Sequence, residues 1–169
     1  ITTDINAFRV AVVDVDGDGD LDVISASINS EVAWHENDGS QGFTEHVITN
    51  TAMFAHDVIA ADLDGDGDVD LASASRIDDK IAWYENDGSE TFTPHTVTTD
   101  ADDAFSVFAA DVDTDGDLDL LSASAADNTI AWYRNDGAGT FSPPIEISTG
   151  AVGAFDVQAA DLDGDGDMD

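Results

Sequence analysis

The feature that most limits how this chain can fold is that it repeats itself. Asp14, Asp62, Asp111 and Asp161 open equivalent segments, at steps of 48, 49 and 50 residues. The copies align well beyond those positions. Ala7-Phe8-Arg9-Val10 corresponds to Ala55-His56-Asp57-Val58, Ala104-Phe105-Ser106-Val107 and Ala154-Phe155-Asp156-Val157. Further on, Val32-Ala33-Trp34-His35-Glu36-Asn37-Asp38-Gly39 corresponds to Ile81-Ala82-Trp83-Tyr84-Glu85-Asn86-Asp87-Gly88 and to Ile130-Ala131-Trp132-Tyr133-Arg134-Asn135-Asp136-Gly137. The units cover about 5–52, 53–101, 102–151 and, in part, 152–169. A period in this range belongs to architectures in which one supersecondary unit is stacked on copies of itself.

Each unit reads as four short strands. The first is almost wholly apolar, as in Val107-Phe108-Ala109-Ala110, which predicts burial on both faces. The second, as in Leu71-Ala72-Ser73-Ala74-Ser75, is built of small residues and suits a crowded position. The third carries the Trp and ends at Asn-Asp-Gly, a hairpin signal. The fourth follows Phe43, Phe92 or Phe141, and all three prolines (Pro94, Pro143, Pro144) sit at its start, which marks an outer edge. No stretch has helical periodicity. An all-β chain with four-stranded units of this length predicts a β-propeller: one fragment over 1–169, with three full blades plus the first strand and loop of a fourth. A β-sandwich rarely repeats so regularly, and β-helix coils are much shorter.

Between the first two strands of every unit stands an Asp-rich loop. The first runs Asp14-Val15-Asp16-Gly17-Asp18-Gly19-Asp20-Leu21-Asp22. The others place Asp62, Asp64, Asp66, Asp68 and Asp70, then Asp111, Asp113, Asp115, Asp117 and Asp119, then Asp161, Asp163, Asp165, Asp167 and Asp169 at the same five alternating positions. Alternate carboxylates on a tight loop can converge on one hard cation, and Ca²⁺, which takes six to eight oxygens, is the expected occupant, one ion per loop. Mg²⁺ demands stricter octahedral geometry, and Zn²⁺ would want His or Cys. Gly19, Gly67, Gly116 and Gly166 at position 6 supply the sharp turn. Positions 2 and 8 are apolar throughout and are expected to anchor the loop to the core. By analogy with the EF-hand, positions 1, 3 and 5 offer side-chain oxygens and position 7 a carbonyl. That loop's closing Glu is missing, so the Asp at position 9 must close the site.

Composition sharpens this reading. The net charge is −34, and the loops hold 20 of the 38 acidic residues, so four Ca²⁺ ions would still leave −26. Self-repulsion of that size predicts tight coupling of metal binding to folding. Nucleic acid is excluded as a partner, because Arg9, Arg76, Lys80 and Arg134 are the only cationic side chains besides histidines. Cysteine is absent, and no run is long and apolar enough to insert in a membrane. No signal peptide is read, since the first residues already belong to a repeat; a mature fragment or a designed chain is expected.

On the Asp-x-Asp-x-Asp-Gly-x-x-Asp loop, the Trp strand, Asn-Asp-Gly and the following Phe, the chain resembles the FG-GAP and VCBS-like calcium-binding repeats of integrin α-subunit propellers and of secreted bacterial proteins. The resemblance covers essentially the whole sequence. It implies a propeller of about seven blades with calcium between strands one and two, and roles in adhesion, sugar binding or as a module attached to an enzyme. Phe8, Phe105 and Phe155 are not followed by Gly, and Ser25-Ala26-Ser27 stands where Gly-Ala-Pro would be. The bacterial type is therefore the closer match, and integrin-like partner binding is not carried over.

No unrepeated catalytic constellation is found, so an enzyme is not expected. His46 and His95 share one blade position, His35 stands in for Tyr84 and Tyr133, and His56 stands where the other units have Phe. The Trp residues recur in register, which predicts packing, with sugar stacking as the alternative. Two main functions remain open: a secreted or cell-surface binding module for carbohydrate or protein, or the propeller part of a secreted polysaccharide-degrading enzyme. A plain structural spacer is the third. Three blades leave exposed edges, so self-association or a longer parent chain is expected to complete the ring. Loops of this kind fill at the millimolar calcium found outside cells, which favours an extracellular location.

Overall fold

The computed structural model describes residues 6–169, so residues 1–5, including the start of the first repeat at Ile5, lie outside the description. Twelve strands form three antiparallel four-stranded sheets, each ordered as in the sequence. Blade 1 holds β1 (Ala7–Val13), β2 (Asp22–Ser27), β3 (Glu31–Asn37) and β4 (Phe43–Thr49). Blade 2 holds β5 (Ala55–Ala61), β6 (Asp70–Ser75), β7 (Lys80–Asn86) and β8 (Phe92–Thr98). Blade 3 holds β9 (Ala104–Ala110), β10 (Asp119–Ser124), β11 (Thr129–Tyr133) and β12 (Ile145–Ser148). The first strands β1, β5 and β9 neighbour one another across blades, and the fourth strands form the outer edge. These are propeller blades, as the repeat predicts.

The hydrophobic cores lie between blades rather than within them. One cluster joins Ile24 and Trp34 of blade 1 to Val58, Leu71 and Tyr84 of blade 2. The next joins Ile81 and Trp83 of blade 2 to Val107, Leu120 and Tyr133 of blade 3. The second strands β6 and β10 are buried at every residue and end in small side chains, after Leu71 in β6 and after Leu120 and Leu121 in β10. Their serines are satisfied in register: Ser73 Oγ lies 3.0 Å from Tyr84 Oη and Ser122 Oγ 3.0 Å from Tyr133 Oη. In blade 1 His35 takes the tyrosine's place, with Nε2 3.0 Å from Ser25 Oγ.

Burial of the first strand on both faces holds where a blade precedes it and fails where none does. Val58 and Val107 are 0% and 2% exposed, whereas the equivalent Val10 is 57% exposed. Val12, the equivalent of Ala60, shares that open face. At the other end, 154–160 forms no ladder. It still follows the plan: Phe155 meets Phe105 edge to face and Asp156 Oδ1 lies 3.1 Å from Ser106 Oγ.

Each first strand carries a bulge at the same place, at Phe8, His56 and Phe105. A bulge re-aims the extra side chain. Here the rings meet across blades in tilted contacts, with centroids 4.9 Å apart for Phe8–His56 and 4.4 Å for His56–Phe105. His56 is thus a packed member of an aromatic column, its Nδ1 2.8 Å from the Phe105 carbonyl oxygen. Beside the column, Asp57 is buried and bridges blades, accepting from the Val107 amide and Ser106 Oγ while Arg9 Nε lies 3.2 Å away.

Candidate metal centres

The loops close on themselves through hydrogen bonds from their own amides to their own carboxylates. In the first, Asp14 accepts the amides of Gly17 and Gly19 at 2.8 and 3.0 Å, Asp16 accepts Asp18 N, and Asp18 accepts Asp20 N. The second and fourth loops repeat this pattern. Position 6 sits at φ between +95° and +100° in all four copies, a region in which only glycine is comfortable.

These turns bring carboxylates at positions 1, 3 and 5 together. One oxygen from each of Asp14, Asp16 and Asp18 lies within 4.8 Å of the others, and so do oxygens of Asp62, Asp64 and Asp66, and of Asp111, Asp113 and Asp115. In the fourth loop the group is Asp161, Asp163 and Asp169. Two oxygens on one Ca²⁺ at about 2.4 Å can be at most about 4.8 Å apart, so the clusters have the span such an ion needs. Burial raises Asp16 and Asp64, and the neighbouring carboxylates push in the same direction. Asp113 Oδ1 is buried without a hydrogen-bond partner. An all-oxygen set with an orphaned oxygen fits a hard divalent cation.

The other two positions do different work. The position 9 carboxylate is buried in the three blades and holds two amides, one from position 2 and one from the Asn of Asn-Asp-Gly. Asp70 accepts Leu63 N and Asn86 N, each at 2.8 Å, and Asp22 and Asp119 do the same with Val15 and Asn37, and with Val112 and Asn135. Burial pushes Asp70 up to about 6, against the pull of those amides. The position 7 side chains Asp20, Asp68 and Asp117 point at Gly39, Gly88 and Gly137 of the hairpin, so close that any Cβ there would clash.

In the sequence Asn-Asp-Gly reads as a hairpin turn, but it does more than turn the chain. Its Asn is a brace: Asn86 Nδ2 donates to the Val69 carbonyl at position 8 and its Oδ1 accepts the Gly88 amide. Asn135 does likewise and also reaches across to the Leu63 carbonyl of blade 2, at 2.6 Å. A fixed Asn in every copy was the available signal, since a turn alone does not require that residue. Anchoring at position 2 holds for Val15 and Leu63, which are buried, but position 8 does not anchor in blade 1, where Leu21 is exposed. In blade 3 Leu118 does pack against the core, and in all three blades the position 8 carbonyl also accepts from the Asn side chain.

Trp34 and Trp83 are buried between blades, with Trp83 against Gly139 and edge-on to Phe141 of blade 3. His46 and His95 stack on these indoles and bond Glu36 and Glu85 at 2.8 and 2.7 Å. An open groove of about 520 Å³ on blade 3 is lined by Asp115, Arg134, Asn135, Asp136, Thr140, Phe141 and Ser142.

The model of the FG-GAP-like repeat matches three overlapping segments, 14–73, 62–122 and 115–169. Among curated proteins no relative matches. Of solved structures, a lectin of Agrocybe aegerita, described for specific recognition of non-reducing terminal N-acetylglucosamine, superposes with a TM-score of 0.60 at 22% identity. The match covers 85% of this chain and 39% of the lectin, a likeness of fold. Three in-phase matches, on loops, hairpins and blades that repeat with the same period, show that the chain belongs to the FG-GAP-like repeat family.

Proposed function

We propose that the chain is a calcium-stabilised β-propeller module that works outside the cell, secreted or at the cell surface, and binds carbohydrate or protein without turning it over. The convergence of three carboxylates in each of four in-phase loops carries the calcium part of this reading. Residues at positions 1, 3 and 5 would hold the ion, with Asp169 in the fourth loop, and position 9 would tie the loop to the blade. The ion supplies the positive charge that lets these carboxylates sit together. The chain's own residues supply the fixed loop, the buried clasp and the brace to the hairpin.

The surface of blade 3 favours a ligand of sugar-like chemistry. Its groove sets carboxylates, a guanidinium, hydroxyls and the Phe141 ring side by side, the mixture of polar groups and apolar face that hydroxylated rings require. The Agrocybe aegerita lectin with its similar fold supports this choice. Trp34 and Trp83 are not offered as stacking platforms, being packed between blades. The histidines serve packing and hydrogen bonds, which favours a binding module over an enzyme. The open face of β1 would be covered by another blade, from a second copy or a longer chain, and light scattering tells these apart.

A glycan array probed with the calcium-loaded protein, and again in chelator, tests the reading. Selective binding without product release is expected. Release of fragments from a polyanionic polysaccharide would overturn it in favour of an enzyme.

A further inference from the structure

Blade 3 departs from blades 1 and 2 at the residue after the Trp-aromatic pair. Glu36 and Glu85 stand there in the first two blades, bonded to the histidine stacked on the Trp. In blade 3 the residue is Arg134, and the partner opposite Trp132 is Ile145 where Trp34 and Trp83 have His46 and His95. Both members of the pair have changed. The guanidinium turns to the loop, with Nε 2.7 Å from Asp113 Oδ2 and an Nη 3.1 Å from Asp115 Oδ2.

Those are the third- and fifth-position carboxylates of the converged cluster. In blade 2 the same strand position holds the negative Glu85, bonded to His95. In blade 3 that position presents a positive group to the same two carboxylates. The loop's backbone differs too. Thr114 replaces the position 4 glycine, and Asp111 Oδ1 accepts from Asp115 N rather than from position 4.

We propose that Arg134 is the resident cation of the third loop, so that this loop closes without metal and takes Ca²⁺ more weakly than the loops of blades 1 and 2. The inference rests on the calcium reading of the loops. An arriving ion must displace the guanidinium from Asp113 and Asp115 or share them with it. Replacing a negative by a positive group within a few ångströms of a divalent ion, even in water, corresponds to a loss of at least about tenfold in affinity.

The test is a Ca²⁺ titration of the full chain followed on the backbone amides of Gly19, Gly67 and Gly116 by ¹⁵N-resolved NMR. Gly19 and Gly67 are expected to respond first, and Gly116 at a calcium concentration at least about tenfold higher. R134E should bring Gly116 into line with the other two, and R134Q should move it part of the way. The reciprocal E85R should delay Gly67. If R134E fails to fold, the order of filling in the unaltered chain and the R134Q shift decide the matter. Three glycines responding together in the unaltered chain, or a Gly116 midpoint that R134Q does not move, would overturn the assignment of Arg134 and leave the calcium reading intact. No amide response to Ca²⁺ in any of the proteins would overturn both.

Discussion

Blade 2 is packed on both sides, against blade 1 through Val58 and Tyr84 and against blade 3 through Trp83 and Leu63. Blade 3 is packed in this way on one side only, because the fourth unit supplies a loop and its lead-in but no second strand. The two blades share register, clasp and brace, and they differ in the neighbours of the Trp, in the charge over the loop and at position 4 of the loop, where Gly65 gives way to Thr114. Shared features come from the repeat. The differences show what a blade owes to its own sequence and what it owes to its neighbours.

The largest contrast should come from the indoles. Trp83→Ala removes a ring that is 4% exposed and leaves a void against Gly139, Phe141 and His95, at a cost of about 3–5 kcal/mol. Trp132 is only partly buried and lacks the histidine stack, so Trp132→Ala should cost less than half as much. Chemical denaturation of the two variants checks this. Equal losses would mean that blade 3 is covered in solution by something that takes a blade's place.

The buried clasp gives the next effect, in the absence of metal. Burial raises Asp70 in the folded state from 3.8 to about 6, so the folded chain holds a proton that the unfolded chain releases between those values. Stability in chelator should therefore fall as pH rises from about 4 through 6, by up to about 3 kcal/mol for this group, and stay low above 6. Raised Asp16 and Asp64 act in the same sense. Calcium should reverse the trend, since protons compete with the ion. Thermal melts at pH 4.5 and 7, with and without calcium, show the crossing. Melting points that rise with pH in chelator would remove Asp70 as the source.

Much of this architecture was legible because the chain states each element several times. Repetition turned an acidic stretch into a loop with fixed glycines, and it set the blade boundaries. What escaped was whatever depends on a neighbour. The exposure of β1 is set by what packs on its outer face, and among the described residues nothing does, which no residue of β1 announces. The bulge that aligns Phe8, His56 and Phe105 is a property of pairing register. The five alternating Asp residues look alike in sequence, yet the fold sorts them into a converging set, a buried clasp and a contact with the hairpin. Arg134 stands where the other copies have Glu36 and Glu85, but its target is set by strand geometry.

Asn86 and Asn135 extend the comparison to smaller energies. Asn86→Ala deprives the Val69 carbonyl of its side-chain donor and the Gly88 amide of its acceptor, at about 1 kcal/mol. Asn135→Ala also deprives the Leu63 carbonyl in the neighbouring blade, so it should cost about 2 kcal/mol. In a chain shortened to blades 1 and 2 that extra contact has no counterpart. If the two substitutions prove equal, the 2.6 Å contact between blades contributes nothing net.

The smallest effect is also the one that can be run in both directions. Position 4 of the loop is glycine at φ +74°, +78° and +81° in three copies, and Thr114 at +63° in the third. A β-branched residue in the left-handed region is strained by roughly 1–2 kcal/mol, and glycine there gives back part of the gain by loosening the unfolded chain. Thr114→Gly should thus stabilise the protein by about 1 kcal/mol, and Gly65→Thr should destabilise it by a similar amount. Space does not decide the second case, because a Cβ at Gly65 would meet its nearest neighbour, the Gly137 carbonyl oxygen, at an ordinary 3.5 Å. The cost is therefore conformational and should persist with and without calcium. A Gly65→Thr penalty that vanished in chelator would mean that the residue acts through the ion, and that loops 2 and 3 differ at position 4 for the same reason that they differ at Arg134.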